Sequence, residues 1–118
     1  MSEIQVLFYD LPDGREPAKE FILSLEPKMR AKVLWTIKLL QDNGTALRLP
    51  YSEHLEDGIF ELRVKVGSDI SRVLYFFCVG NEAILTNGFI KKAQRTPQAE
   101  KDRAKQYRAD YLSRKEQL

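Results

Sequence analysis

The sequence IFELRVKVGSDISRVLYFFCVGNEAILTNGF, residues 59–89, decides the fold because it contains three β-strands separated by two tight turns. Apolar and charged residues alternate from Phe60 to Val66, the pattern of a half-buried strand with one charged face. Gly67-Ser-Asp69 predicts a hairpin turn, and the apolar run Ile70–Val79 predicts a second strand. After a further turn at residues 80–82, a third strand is predicted over Ala83–Phe89. This stretch therefore predicts an antiparallel meander.

The residues before this stretch predict one strand and two helices. Ile4–Tyr9 is short and rich in β-formers, so it is predicted to be a strand. Apolar residues recur at helical spacing over residues 16–25 and again over Pro27–Asp42, where Asn43-Gly44 ends the pattern. These two segments predict a helical hairpin. Residues 44–58 show neither period and predict an irregular loop.

A last helix is predicted to begin at Thr96-Pro97, a hydroxyl cap followed by proline, and to run to about Arg114. The predicted order is β-α-α-β-β-β-α in a single domain, residues 1–118. The first strand should join the meander sheet, and the helical hairpin should cover one sheet face. The predicted fold class is thus an α+β sandwich of two layers.

Positive charge is concentrated in the C-terminal third of the chain. The net charge is only +2, but residues 1–58 carry 7 basic and 10 acidic side chains, whereas residues 86–118 carry 9 and 4. A basic surface for RNA and a solvated basic helix both fit this pattern.

The rarity of histidine and cysteine excludes several classes of protein. His54 and Cys78 are the single histidine and cysteine, too few for a zinc site and poorly placed for a nucleophilic triad. We find no Gly-rich phosphate loop, so we predict neither metal nor cofactor. No apolar run approaches the roughly 20 residues of a membrane span, and the first residues lack a signal-peptide pattern. We therefore expect a cytoplasmic protein.

The candidate site lies on the charged face of the meander. Alternation places Glu61, Arg63 and Lys65 on one face, and a tight turn at residues 66–69 would place Arg72 opposite Arg63. A register slip of one residue would turn Arg72 inward. Three further cations follow the third strand: Lys91, Lys92 and Arg95. A solvated strand face with cross-strand ion pairs is the structural alternative.

This set of residues is suited to RNA cleavage without a metal. A base takes the proton of the 2′-hydroxyl, cations hold the negative charge that develops on phosphorus, and an acid protonates the leaving oxygen. Arginine suits phosphate because its planar fork donates two hydrogen bonds at once. Glu61 is the only carboxylate in the set and is our candidate for the base.

Three motifs in this order resemble the phage-derived branch of the HigB-type toxins in the RelE superfamily. They are GIFELR (Gly58–Arg63), RVLYFF (Arg72–Phe77) and NGFIKK (Asn87–Lys92), the last followed by Arg95-Thr-Pro97. The similarity covers nearly the whole chain. It departs from the branch at Ser71, where tyrosine is common, and at Asn87, where histidine is frequent.

The resemblance implies a RelE-like fold and the toxin of a type II toxin–antitoxin pair, an endoribonuclease that cleaves mRNA on the ribosome without a metal. Arg63 and Arg72 match arginines that contact the scissile phosphate, and Glu61 matches an acidic position that is lysine in more distant RelE proteins. Lys91 and Lys92 match a basic pair that completes the catalytic set. We expect RNA to be bound by Lys65, Lys91, Lys92 and Arg95.

The resemblance also implies partners, namely mRNA, the ribosome and a HigA-like helix-turn-helix antitoxin in a toxin–antitoxin hetero-oligomer. Leu74 and Phe76 should lie on the Arg72 face, where either the last helix or a partner must cover them. Two other functions stay open. One is a non-catalytic module that binds RNA or protein, and the other is an inactive relic that serves only as a repressor's partner.

Overall fold

The computed structural model describes residues 3–92 and 94–116. Its strands are β1 (Gln5–Phe8), β2 (Ser52–Glu56), β3 (Ile59–Val66), β4 (Asp69–Cys78) and β5 (Glu82–Ile90), and its helices are α1 (Pro17–Ser24), α2 (Pro27–Asn43) and α3 (Gln98–Glu116). One sheet has the order β1-β5-β4-β3-β2. β1 is parallel to β5 and the other pairs are antiparallel. The predicted α+β class is confirmed, and the first strand joins the meander as expected.

The hairpin between β3 and β4 has the register that the tight turn predicted. Val66 lies opposite Asp69, and Arg63 lies opposite Arg72. Because successive side chains of a strand point to opposite faces, this register places Glu61, Arg63 and Arg72 on the same face of the sheet.

The prediction of an irregular loop was wrong for residues 52–56, which form β2. The strand follows a short 3₁₀ turn and pairs with β3, but its register shifts between His54 and Glu56. This irregularity breaks the alternation by which a strand is recognised. Asp57 and Gly58 have φ values of 51° and 75°, the left-handed geometry that two-residue hairpin turns require. The Asp57-Gly58 pair could therefore have predicted a hairpin turn between β2 and β3.

One face of the sheet packs against α1 and α2. Its core includes fully buried side chains from α2, β3, β4 and β5: Val33, Leu40, Leu62, Val73 and Leu85. Helix α1 approaches β5 so closely that a Cβ atom at Gly88 would lie 2.3 Å from the ring of Phe21. A glycine at this position lets the helix and the strand make contact.

Helix α3 packs against part of the opposite face. It covers Leu74 and Phe76, and the ring of Phe76 meets that of Tyr111 edge-on at 5.9 Å. The chain's own last helix is thus the cover that these two residues needed. The helix begins at Gln98, and the carbonyl of Pro97 accepts the first helical hydrogen bonds. Thr96 is therefore one residue too early to be the predicted cap.

We predict that Gly88→Ala lowers the free energy of unfolding by roughly 1–3 kcal/mol, because the added methyl group must displace a packed ring. Urea unfolding measures the change. In a Phe21→Ala background the same substitution should cost less, since the opposing ring is gone. Equal costs in both backgrounds would show that the close approach does not limit this position.

Candidate functional site

Two arginines face each other across β3 and β4 at the end of the sheet face that holds the predicted site residues. Arg63 and Arg72 are direct cross-strand partners. The Arg72 side chain is only 5% exposed, whereas that of Arg63 is 30% exposed. Two like charges in direct opposition repel one another, so the pair needs a counter-ion.

Glu61 provides this counter-ion from a buried position. Its side chain is 1% exposed, and Oε2 lies 3.3 Å from Nη1 of Arg63 and 3.5 Å from Nε of Arg72. The longer contact is an ion pair without a hydrogen bond, and Nε of Arg72 has no hydrogen-bond partner among the described residues. The other oxygen, Oε1, accepts a hydrogen bond of 2.7 Å from the Thr96 hydroxyl. Both oxygens of this carboxylate are therefore engaged.

Glu53 is a second carboxylate at the site, and the sequence analysis missed it. It lies opposite Glu61 in the β2–β3 register, and its Oε1 accepts a hydrogen bond of 2.8 Å from Nη1 of Arg63. Its side chain is 44% exposed. Because residues 44–58 were predicted to be a loop, no strand register placed this residue beside Glu61.

Lys91 follows β5 and adds a third cation. Its amide donates a hydrogen bond of 2.9 Å to the Ile70 carbonyl, which holds this part of the chain beside the β3–β4 hairpin. Partial burial and the nearby Arg72 lower the pKa of Lys91. Burial likewise lowers the pKa of Arg72, and the charge of Glu61 opposes that shift. A guanidinium nevertheless stays protonated in proteins.

Two grooves open at this cluster and share Arg63. The first has a volume of about 340 Å³ and is lined by Glu53, Glu61, Lys91, Arg95 and Thr96 among others. The second, of about 490 Å³, is lined by Leu49, Pro50, Lys65, Ile70 and Arg72 among others. The structure thus brings Arg63, Arg72, Glu61 and Lys91 together, with Lys65 and Arg95 at the borders. Lys92 is exposed and lines neither groove.

The arginine cluster, by which we mean Glu53, Glu61, Arg63, Arg72 and Lys91, has three cations and two carboxylates. Its surplus of one positive charge on a partly open surface suits an anion such as a phosphate group. Over residues 3–92 and 94–116, no group of three or more His, Cys, Asp and Glu side chains could hold a metal ion.

His54 is among the residues that line the first groove, whereas Cys78 lines neither groove. His54 lies in β2, where its Nε2 accepts a hydrogen bond of 3.1 Å from the Gly58 amide and its ring packs edge-on to Phe60. It stabilises the β2–β3 turn. Cys78 lies half-buried at the end of β4.

The basic residues of the C-terminal third mostly bind the rest of the protein. Cations of α3 form ion pairs with carboxylates of other elements, namely Lys101 and Lys105 with Glu56, Arg108 with Asp57, Arg114 with Asp10 and Lys115 with Glu82. Much of the positive charge in the C-terminal third is therefore used in ion pairs that hold α3 against the rest of the protein. No described helix has the length and apolar character that crossing a bilayer requires.

The fold and the cluster define a class of small α+β proteins with a RelE-like fold and a cationic sheet face. The family model described as "Phage derived protein Gp49-like (DUF891)" matches residues 20–109, about three quarters of the chain. The chain therefore belongs to the phage-derived Gp49-like family. This is a RelE/HigB-like toxin family, and its members are typically toxins paired with an antitoxin. A comparison with curated proteins finds no match.

We predict that Glu56 stabilises the fold only above acidic pH. Hydrogen bonds from Lys105, Gln98 and Lys101 lower its pKa from 4.5 to about 2. A carboxyl whose pKa is lowered by folding adds stability above its unfolded pKa and loses it as the pH falls towards the folded value. Urea unfolding from pH 6 to pH 2 should therefore show a steeper loss for wild type than for Glu56→Gln, most clearly between about pH 4.5 and pH 2.

The contribution is modest because solvent screens a side chain that is about one-third exposed. Lys38→Ala is a suitable control, since it removes an ion pair within α2 at 3.0 Å and leaves α3 untouched. Parallel pH curves for wild type and Glu56→Gln would show that Glu56 does not couple α3 to pH.

Proposed function

We propose that this protein is the toxin of a type II toxin–antitoxin pair, an endoribonuclease that cleaves mRNA on the ribosome without a metal. The observation that carries the proposal is the Arg63–Arg72 pair, held in register on the open part of a sheet face with one buried carboxylate between the two arginines. Membership in a toxin family supports it.

In the proposed reaction, the ribose 2′-oxygen attacks the adjacent phosphorus while a base accepts its proton. The bond from phosphorus to the 5′-oxygen then breaks, and the leaving oxygen takes up a proton, giving a cyclic 2′,3′-phosphate and a free 5′-hydroxyl. Negative charge builds up on the phosphoryl oxygens, where the guanidinium of Arg63 is accessible and Arg72 adds charge from beneath. Lys91 is the candidate acid, because a lowered pKa makes an ammonium a better proton donor.

The remaining parts of the proposal concern the partners and the setting. We propose a HigA-like helix-turn-helix antitoxin that binds the toxin in a hetero-oligomer, mRNA on the ribosome as substrate, and action in the cytoplasm. Residues 1–118 would act as one domain. Lys92 is exposed, which is compatible with RNA binding beyond the cluster.

We predict that induction of the wild-type chain stops growth and cuts translated mRNA, and that co-expression of the antitoxin gene restores growth. Arg72→Ala should lower the single-turnover cleavage rate roughly 100- to 1000-fold, because it removes a donor that stabilises the transition state. Arg72→Lys should recover only part of this loss, since an ammonium keeps the positive charge but not the planar shape and spread charge of the guanidinium. Primer extension on ribosome-bound mRNA measures the rates.

Arg15→Ala is the matched control, because it removes an exposed arginine that pairs locally with Asp13, remote from the cluster. It should cleave as wild type does. Normal growth at verified expression would contradict the toxin proposal. Cleavage by Arg72→Ala at the wild-type rate would place the active site elsewhere. RNA binding without any cleavage would favour the alternative, a non-catalytic binding module on the same cationic face.

A second prediction separates the two carboxylates as candidates for the base. The sequence analysis named Glu61, whose oxygens already accept contacts from Thr96 and both arginines. Glu53 is the accessible carboxylate at the same groove. We expect Glu53→Gln to lower the single-turnover rate at neutral pH with little change in stability, because it removes an exposed proton acceptor.

Glu61→Gln should lower both the rate and the stability, because it removes the counter-ion of a buried arginine. Breaking such a buried pair typically costs about 3–5 kcal/mol. Chemical denaturation and single-turnover cleavage of the two variants measure these effects. A wild-type rate in Glu61→Gln would exclude Glu61 as the base, and a wild-type rate in Glu53→Gln would exclude Glu53.

A further inference from the structure

A third groove lies next to the arginine cluster, between α2 and the end of β3. Its volume is about 610 Å³, and its lining includes Lys28, Lys32 and Trp35 from α2 together with Lys65 from β3. Residues at positions i, i+4 and i+7 share one side of a helix, so the three α2 side chains face the groove together. Trp35 is 50% exposed despite its size and meets Tyr51 edge-on at 5.9 Å.

This groove runs along an open edge of the sheet. β2 pairs with β3 only from Ile59 to Leu62, so within the described chain Val64–Val66 has no strand neighbour on that side. Lys32 donates a hydrogen bond through Nζ to the Lys65 carbonyl. Lysines commonly protect an exposed strand edge from pairing with another chain, and here they also place positive charge along it.

The three grooves follow one another as a path, each sharing a lining residue with the next. The first and second share Arg63, and the second and third share Lys65. Among residues 3–92 and 94–116, no carboxylate lines the second or third groove. In the part of the chain that the structure describes, Lys28, Lys32 and Lys65 form no ion pair with a carboxylate, whereas several cations of α3 do. The lysines along this path are therefore available to an anionic ligand.

We propose that the path is a track for single-stranded RNA, in which a base next to the bound phosphate stacks on Trp35 and the neighbouring phosphates contact Lys32, Lys65 and Lys28. An aromatic side chain among cations that have no carboxylate partner is the combination that binds single strands without reading sequence. This inference rests on the proposed function, because the scissile phosphate at the arginine cluster fixes where the strand enters. The inference adds the path that the RNA strand follows across the protein and names Trp35 as a residue that binds the strand.

Trp35 is the chain's only tryptophan, so its fluorescence reports on the track directly. The probe is a short single-stranded RNA with 2′-O-methyl groups, which cannot be cleaved by 2′-hydroxyl attack. We expect saturable quenching of the Trp35 emission. With one phosphate at the arginine cluster and three at the lysines, the log–log slope of affinity against salt should be about −3, and Lys32→Ala and Lys65→Ala should each flatten it by about 0.7. Lys19→Ala, on α1 and paired with Glu16, is the control and should change nothing.

Trp35→Ala should weaken binding of the same RNA about 5- to 150-fold, the range expected for loss of one stacked base, and Trp35→Phe should restore part of it. Fluorescence anisotropy of labelled RNA measures both variants. On mRNA-programmed ribosomes, Trp35→Ala should raise the toxin concentration needed for half-maximal cleavage while the maximal rate stays unchanged. If Trp35 had only a structural role, Trp35→Ala would not change the half-maximal concentration while leaving the maximal rate unchanged.

The outcomes distinguish the track from the proposed function. RNA binding with unchanged Trp35 emission and full affinity in Trp35→Ala would overturn the track, even if cleavage is found. Absence of RNA binding at low salt would also overturn it. Quenching without ribosomal cleavage would support the track and contradict the endoribonuclease proposal. A change in Trp35 emission caused by the antitoxin but not by RNA would show a protein interface and overturn the track.

Discussion

One carboxylate, that of Glu61, allows Arg63 and Arg72 to lie opposite each other on neighbouring strands. Two guanidinium groups in this position repel unless an anion separates them, and burial makes the attraction to that anion stronger and its loss more costly. The remaining oxygen of Glu61 accepts the Thr96 hydroxyl, so the chain just before α3 is tied to the same group. The single side chain of Glu61 therefore stabilises the pairing of Arg63 with Arg72 and also holds the segment that leads into α3.

Helix α3 determines how much of this sheet face is left open. It buries Leu74 and Phe76 and is held by ion pairs to carboxylates of β2, β5 and the β2–β3 turn. The cations that the sequence concentrates in the C-terminal third are therefore largely used inside the protein. The charges left for a ligand come mainly from α2, β3 and β4, with Lys91 as a contribution from the C-terminal third.

The meander could be predicted because alternation and tight turns fix which side chains share a face, and Arg63 and Arg72 were paired on that basis. β2 could not be recognised in the same way, since its register shift breaks the alternation, and Glu53 was missed with it. Alternation also predicts which side chains share a face of the sheet, but it does not predict which segment packs over that face. The burial of Glu61 beneath the segment that contains Thr96 was therefore not predictable. Trp35 falls outside the apolar stripe of α2, which marks it as exposed but does not show what it faces.

The charge balance of the arginine cluster supports the proposed phosphate site over an ion-pair network that serves stability alone. A network of that kind gains most when its charges cancel, because surplus charge in a partly buried place has a desolvation cost without compensation. Here two carboxylates face three cations, and the charge of Arg72 adds to burial in lowering the pKa of Lys91. A phosphate group would remove that surplus. Uncompensated charge of this kind lowers the stability of a free protein, which is the pattern expected of a cluster that serves the proposed binding of phosphate.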